Sequence, residues 1–306
     1  MSTHNHRFPR DAGLSFRMVL VMFLLGLLYV VFIAALLAAR VQVGFVIVLA
    51  FGLLFSQYYF SDRIALFAMH AKEVTPQQQP ALHGMVDRLC ALADMPKPRI
   101  AIADSDMPNA FATGRNQKTA VVCATTGILR RLDEPELEAV IAHELSHVAH
   151  RDVAVMTIAS GLGVIAGLIT RFTLYSGMFG GGYGRGRDRD GGSPILVIIL
   201  VSAIVYAVSF LLIRALSRYR ELAADRAGAA LTGAPSQLAA ALVKVSGEIG
   251  RIPTRDLRAA EPFNAFFFAP ALAPGFSLSS LFSTHPSLQQ RLDQLSRIEE
   301  ELGRRS

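Results

Sequence analysis

The run His143-Glu144-Leu145-Ser146-His147 carries the plainest chemical signal in this chain. A four-residue spacing sets two imidazoles on one helical face, one turn apart, where both can bind one Zn2+. Glu144, beside them, is placed to take a proton from a metal-activated water. Two histidines fall short of the three protein ligands that a catalytic zinc usually has. The best remaining candidate is Glu221, in Arg220-Glu221-Leu222-Ala223-Ala224-Asp225. Asp225, one turn on, shares its face and can hold the free N–H of a ligand histidine. The expected cofactor is one zinc ion per chain, and the expected chemistry is metal-assisted hydrolysis. His150 reads as a solvated or supporting histidine, or a spare ligand, and Asp152 as a partner for Arg151 or Arg226. The two cysteines, Cys90 and Cys123, lack metal-ligand spacing and read as small buried residues in a reducing compartment.

The elements that must position these groups are legible around them. Asp133 is a suitable N-cap, Glu136 completes a capping box and Pro135 fits a first turn, so a helix should run from Asp133 through the two histidines. Helical periodicity covers Ala81 to Leu92, and a second helix, Ser217 to Leu231, stops at Thr232-Gly233. Arg99 to Ala103 and Thr119 to Ala124 read as strands, with strand and turn in Met107 to Asn116. Pro286 should open a last amphipathic helix.

Hydrophobic residues make up 52% of the 306 and charged residues only 18%, below the roughly 25% charged share of ordinary globular domains. Four stretches carry no charge: Met18–Ala39, Val41–Ser61, Val153–Thr170 and Gly191–Ile213. About 20 apolar residues cross a bilayer. The third stretch, diluted by Ser160, Gly161, Gly163 and Gly167, reads alternatively as a buried helix of a soluble domain. The expected fold class is an α-helical multi-pass membrane protein with about four transmembrane helices. Residues 1–61 would form a tail and hairpin, 62–152 the first half of a catalytic domain, 153–213 a second hairpin, and 214–306 the second half. Two crossings return Glu221 to the side of His143 and His147. Arg40 marks the first hairpin turn, the glycine-rich loop 175–193 reads as disordered, and Pro262 to Phe276 as a surface or packed loop. The net charge of +6 sits largely beside the apolar stretches, at Arg7, Arg10, Arg17, Arg63, Lys72, Arg214, Arg218 and Arg220. That arrangement fits a lipid bilayer as partner, no nucleic acid, and a catalytic domain on the cytoplasmic side of the cell membrane. Arg185, Arg187 and Arg189, in the loop of the second hairpin, run against that orientation.

In this order of hairpins and motifs the chain resembles the HtpX family of membrane zinc metalloproteases, related to the CAAX prenyl proteases. The resemblance implies a small α+β, zincin-like catalytic domain of the gluzincin type. Pro108-Asn109-Ala110-Phe111-Ala112 resembles the family's edge strand, so Asn109, Ala110 and Phe111 are expected to hold an extended substrate. Ser283-Thr284-His285-Pro286 with Arg291 resembles a late motif whose His and Arg face the metal, which gives His285 a catalytic role and Arg291 contact with the substrate or a carboxylate. Read as residues alone, Pro108-Asn109 is a turn and His285 belongs to an N-cap region. The implied activity is endopeptidase cleavage of misfolded or damaged membrane proteins, with membrane-protein or unfolded polypeptides as substrates. Rivals are an intramembrane protease, a prenyl-protein-type protease and a membrane scaffold with a structural zinc. Asp133, Glu134, Glu136 and Glu138 argue against a motif inside the bilayer, and Glu144 argues for a catalyst.

Overall fold

Asp133 caps helix α6 (Glu134–Ala149) by the predicted reciprocal box: its side chain accepts from the Glu136 N–H at 3.1 Å, and Glu136 accepts from the Asp133 N–H at 3.1 Å. This is seen in a computed structural model that describes residues 12–38, 44–179, 194–249 and 285–304. Arg7, Arg10, Arg40, Arg185, Arg187, Arg189, Pro262 to Phe276, Ser283 and Thr284 lie outside those residues, as do residues 180–193 of the glycine-rich loop. Its first part, to Phe179, continues a helix instead of the expected disorder.

Helices α1 (Ala12–Ala38) and α2 (Gly44–Tyr59) come first, then α3 (Ser61–Ala68), β1 (Lys72–Glu73) and α4 (Pro80–Ala93). Strands β2 (Arg99–Ala103), β3 (Ala110–Thr113) and β4 (Val121–Thr125) follow, with α5 (Thr126–Arg131) leading into α6. After α6 come α7 (Asp152–Phe179), α8 (Pro194–Thr232), α9 (Pro235–Ile249) and α10 (Leu288–Gly303). Ser287, one residue past Pro286, caps α10 through a second box with Gln290.

The sheet order is β1-β2-β4-β3, with β2 and β4 parallel and β3 antiparallel to β4. Alternation buries both faces. Ile100, Val122 and Ala124 face a core shared with α4, α6, α9 and α10, whereas Ala101, Val121 and Cys123 face α3. Cys90 lies in the first core and Cys123 in the second, both as free buried thiols. Burial pushes their pKa values up, to about 11 and about 12. β3 is one of the two edge strands, the one beside α6.

The apolar helices form a separate cluster in which Val21, Leu25 and Phe32 of α1 meet Ala159 and Ala166 of α7 and Val205 and Leu216 of α8. Their outward faces carry large apolar side chains, such as Phe23 at 65% and Phe51 at 70% exposure. Helices apolar all round suit lipid, not water. By length and composition, Ser15–Ala34 and Ile199–Thr232 are each sufficient to cross a membrane. α6 and α7, bent by 57°, together give a third candidate, with positive φ (56°) at Arg151 breaking the chain between them. The apolar stretch of α2, Val48–Tyr59, is shorter, so among the described residues length alone supports two spans, or three with the bent pair, and not the expected four. The fourth apolar stretch and the helix bearing Glu221, read as two elements from sequence, are one continuous 39-residue α8. Glu221 is thereby carried on the same rigid rod as the membrane segment.

Candidate metal centre

α8 crosses α6 with backbone nearly touching backbone. A Cβ at Gly228 would lie 2.9 Å from the His143 nitrogen and 3.0 Å from its Cα, so only glycine lets the helices meet this closely. One and two turns earlier on α8, Asp225 and Glu221 then fall over the histidine face of α6. His143 Nε2 and His147 Nε2 stand 3.2 Å apart. Glu221 brings Oε1 to 3.5 Å from His147 Nε2 and Oε2 to 3.7 Å from His143 Nε2. One donor atom from each of the three residues lies within 4.8 Å of the others.

Each imidazole is held from behind by a carboxylate, itself held by an arginine. His143 Nδ1 lies 2.9 Å from Asp225 Oδ1. Asp225 takes a two-pronged contact from Arg291, Nε at 2.8 Å and Nη2 at 2.6 Å. His147 Nδ1 lies 2.5 Å from Asp152 Oδ2, which also accepts from Arg220 Nη2 at 2.9 Å. The sequence expectation for Asp152 is thus corrected: its partners are His147 and Arg220, while Arg226 pairs with Glu301. With a carboxylate behind each Nδ1, both Nε2 atoms face one another and Glu221. Such a donor set repels itself unless a cation lies between. Two nitrogens on a tetrahedral Zn2+ at the usual bond length would be roughly 3.3 Å apart, close to the observed spacing. The field agrees: burial opposes a charge on His143, but hydrogen bonding to Asp225 and Glu221 outweighs it and raises its pKa to about 9. The residues fit a zinc ion.

A cleft of about 470 Å3 opens beside these groups. His143, Glu144, His147, Glu221 and His285 line it, with Ala110, Phe111 and Ala112 of β3 along one side. His285 Nδ1 lies 3.2 Å from Glu221 Oε2. Glu144 is 4% exposed, and burial pushes its carboxyl pKa up although the backbone N–H of Ala112 donates to it. Two expected site residues are buried, and Arg291 pairs with a carboxylate, one of the two contacts expected for it. Asn109 is fully buried, its N–H donating to Thr125 Oγ1 at 2.9 Å and its carbonyl accepting from the Thr125 N–H at 2.9 Å. Arg291 is 2% exposed behind Asp225, with Nη1 4.0 Å from Glu221. His150 is exposed at the C-terminal end of α6. Sequence reasoning missed Asp152 as a histidine partner, Arg220 and Gly228. The available signals were an acidic residue just past the helix break and a lone glycine in a helical pattern.

Comparison with known proteins bears on the same residues. The family model described as peptidase family M48 matches residues 76–299. Protease HtpX homolog 1 of Streptomyces coelicolor is 62% identical over 97% of this chain and 96% of its own length. The protease HtpX homolog of Moorella thermoacetica is 56% identical over 96% and 97% respectively. That of Thermococcus kodakarensis is 39% identical over 81% and 84%. The crystal structure of S. mikatae Ste24p superposes with a TM-score of 0.54 over 93% of this chain and 67% of that one, at 17% identity, a likeness of fold alone. With a family model spanning most of its length and such relatives, the chain belongs to peptidase family M48, as a membrane zinc metalloprotease of the HtpX type.

Proposed function

We propose that this chain is a zinc endopeptidase of the gluzincin type, with one Zn2+ held by His143, His147 and Glu221. The observation that carries the reading is the meeting of two Nε2 atoms and the Glu221 carboxylate beside Glu144, in an open cleft. When bound, zinc supplies Lewis acidity, bringing the pKa of a water toward about 7 and polarising the scissile carbonyl. Asp225 and Asp152 fix the tautomers of the two imidazoles, with Arg291 and Arg220 holding the carboxylates in place. Glu144, made a stronger base by burial, takes a proton from a water in the cleft and passes it to the leaving amine. His285 donates to the carbonyl oxygen as charge develops on it. The peptide adds as a strand along β3, past Ala110 and Phe111. Asn109 anchors the start of that strand to Thr125 instead of touching the peptide.

Recognition through a strand edge reads mostly backbone, so selectivity is broad and favours polypeptides that have lost their fold. Together with the apolar helices, this supports misfolded or damaged membrane proteins as substrates, a quality-control role. The chain lies in the cell membrane with α1, α2, α7 and α8 as four spans. Residues 62–152 and 214–306 form a cytoplasmic catalytic domain and 1–61 and 153–213 the two hairpins, as the basic residues beside the spans favour. A scaffold with a structural zinc has no use for a buried Glu144 or an open cleft. Glu221→Gln tests the ligand set. Zinc affinity should fall by more than the roughly 10–100-fold that loss of a supporting residue costs. Unchanged zinc content in the purified variant would move the third ligand elsewhere.

A further inference from the structure

A second cavity lies where the apolar surface of α2 ends. Phe51, Phe55 and Tyr59 stack along that helix, with ring centroids 6.3 Å and 5.7 Å apart, and Phe51 and Phe55 face outward. Immediately beyond Tyr59 the lining turns cationic. A cavity of about 290 Å3 is bordered by Arg63, Arg99, Arg115 and Lys118, with Asp62 as its one carboxylate. That volume is just under the range of small-molecule sites, about 300–1,000 Å3, and suits a small group.

The four cations differ in how they are committed. Arg99 is taken: it donates to Asp62 at 2.5 Å, to Glu73, and to the Thr119 carbonyl at 3.1 Å. This contact satisfies the Asp62 carboxylate, so it does not repel an anion as a free one would. Arg115 is held in place with donors to spare. Its guanidinium stacks over the Tyr59 ring at 4.3 Å and donates to the Tyr59 carbonyl at 3.2 Å, while its own carbonyl accepts from the Tyr58 hydroxyl at 3.1 Å. Among the described residues, Arg63 and Lys118 form no ion pair, and both are exposed. Three cations without a carboxylate partner among the described residues therefore converge beside the edge-to-face rings of Tyr59 and Phe60. An aromatic belt marks the level of lipid headgroups, and an arginine fork matches the oxygens of a phosphate.

We propose that this cavity binds a phosphate group, carried by an anionic phospholipid headgroup or free in solution. The site is separate from the cleft but shares its wall. Asp62 and Arg63 of α3 line the cavity, while Ser61 and Ile64 of the same helix line the cleft. The turn that carries Arg115 and Lys118 likewise joins the edge strand β3 to β4. Binding here does not depend on the peptidase reading.

The test is native mass spectrometry of the full chain, released from detergent, titrated with phosphatidylglycerol, with phosphatidylcholine and with inorganic phosphate. Wild type should retain one phosphatidylglycerol saturably, and the double variant Arg63→Gln/Lys118→Gln should bind it roughly 30-fold more weakly. Displacement of that lipid by millimolar phosphate would assign the site to the free ion as well as the headgroup. Retention in its presence would assign it to the lipid. Both side chains are exposed, so circular dichroism should show the variant folded, and the charge-retaining pair Arg63→Lys/Lys118→Arg should keep binding. Equal affinity of wild type and the glutamine variant for phosphatidylglycerol and for phosphate would overturn the proposal, as would equal retention of phosphatidylcholine.

Discussion

Asp152 stands to His147 as Asp225 stands to His143, and each carboxylate is backed by one arginine. On the proposed reading each carboxylate keeps its imidazole in the tautomer that presents Nε2 outward. Asp152→Asn leaves the size of the side chain but weakens its hold on the His147 Nδ1–H. Zinc affinity, measured by competition with a chelator, should fall roughly 10–100-fold. An unchanged affinity would make Asp152 a partner of Arg220 alone. His143, Glu144, His147, Glu221 and Asp225 were legible in sequence because their chemistry rests on one-turn spacings within single helices. Asp152 was not, because its reach to His147 depends on the αL residue Arg151, which breaks the chain between α6 and α7. Asn109 and Arg291 could be named but their partners could not, since the buried contacts that hold them come from Thr125 and Asp225, distant in the chain.

At the level of elements, the site depends on how closely α8 lies on α6 and on which edge of the sheet stays open. Gly228→Ala places a methyl against the backbone of His143, where no flexible side chain can give way. The helices must part, at a cost of about 1–3 kcal/mol. The expected result is a lower melting temperature together with weaker zinc retention, whereas a fully stable variant with wild-type zinc would mean that α8 can shift without disturbing the site. Ala112→Pro removes the edge N–H that faces Glu144, at a strand edge where proline is tolerated. Loss of one charge-assisted hydrogen bond predicts a fall in kcat/KM of about tenfold or more, with zinc content kept. Full activity would mean that the Ala112 N–H does not serve Glu144 in catalysis. Local patterns were again enough for the capping box of α6, β2 and the core of α4. The fusion of an apolar stretch with the Glu221 helix was not legible, because Arg214, Arg218 and Arg220 mark the membrane edge in sequence without ending the helix.

For the molecule as a whole, the apolar bundle and the catalytic elements are one construction, not an enzyme with a tether. α8 runs from the apolar cluster to the candidate metal site without a break, and the cleft is walled by α2 and α7 residues such as Gln57 and Met156 as well as by the sheet. That construction supports the proposal of a protease that works at the membrane surface. Composition announced the membrane, and spacing announced the chemistry. Joining the two needed the fold, because the three candidate ligands are separated in sequence by α7 and the apolar part of α8. The most direct measurement compares wild type and Glu144→Gln, each purified in lipid with zinc content determined, for cleavage of an unfolded membrane protein. In the proposed mechanism Glu144 takes the proton of the reacting water and is not a candidate ligand. Cleavage by wild type that is lost by a factor of at least about 100 in the variant, at equal zinc content, is the predicted result. Equal cleavage by the two proteins would contradict the account.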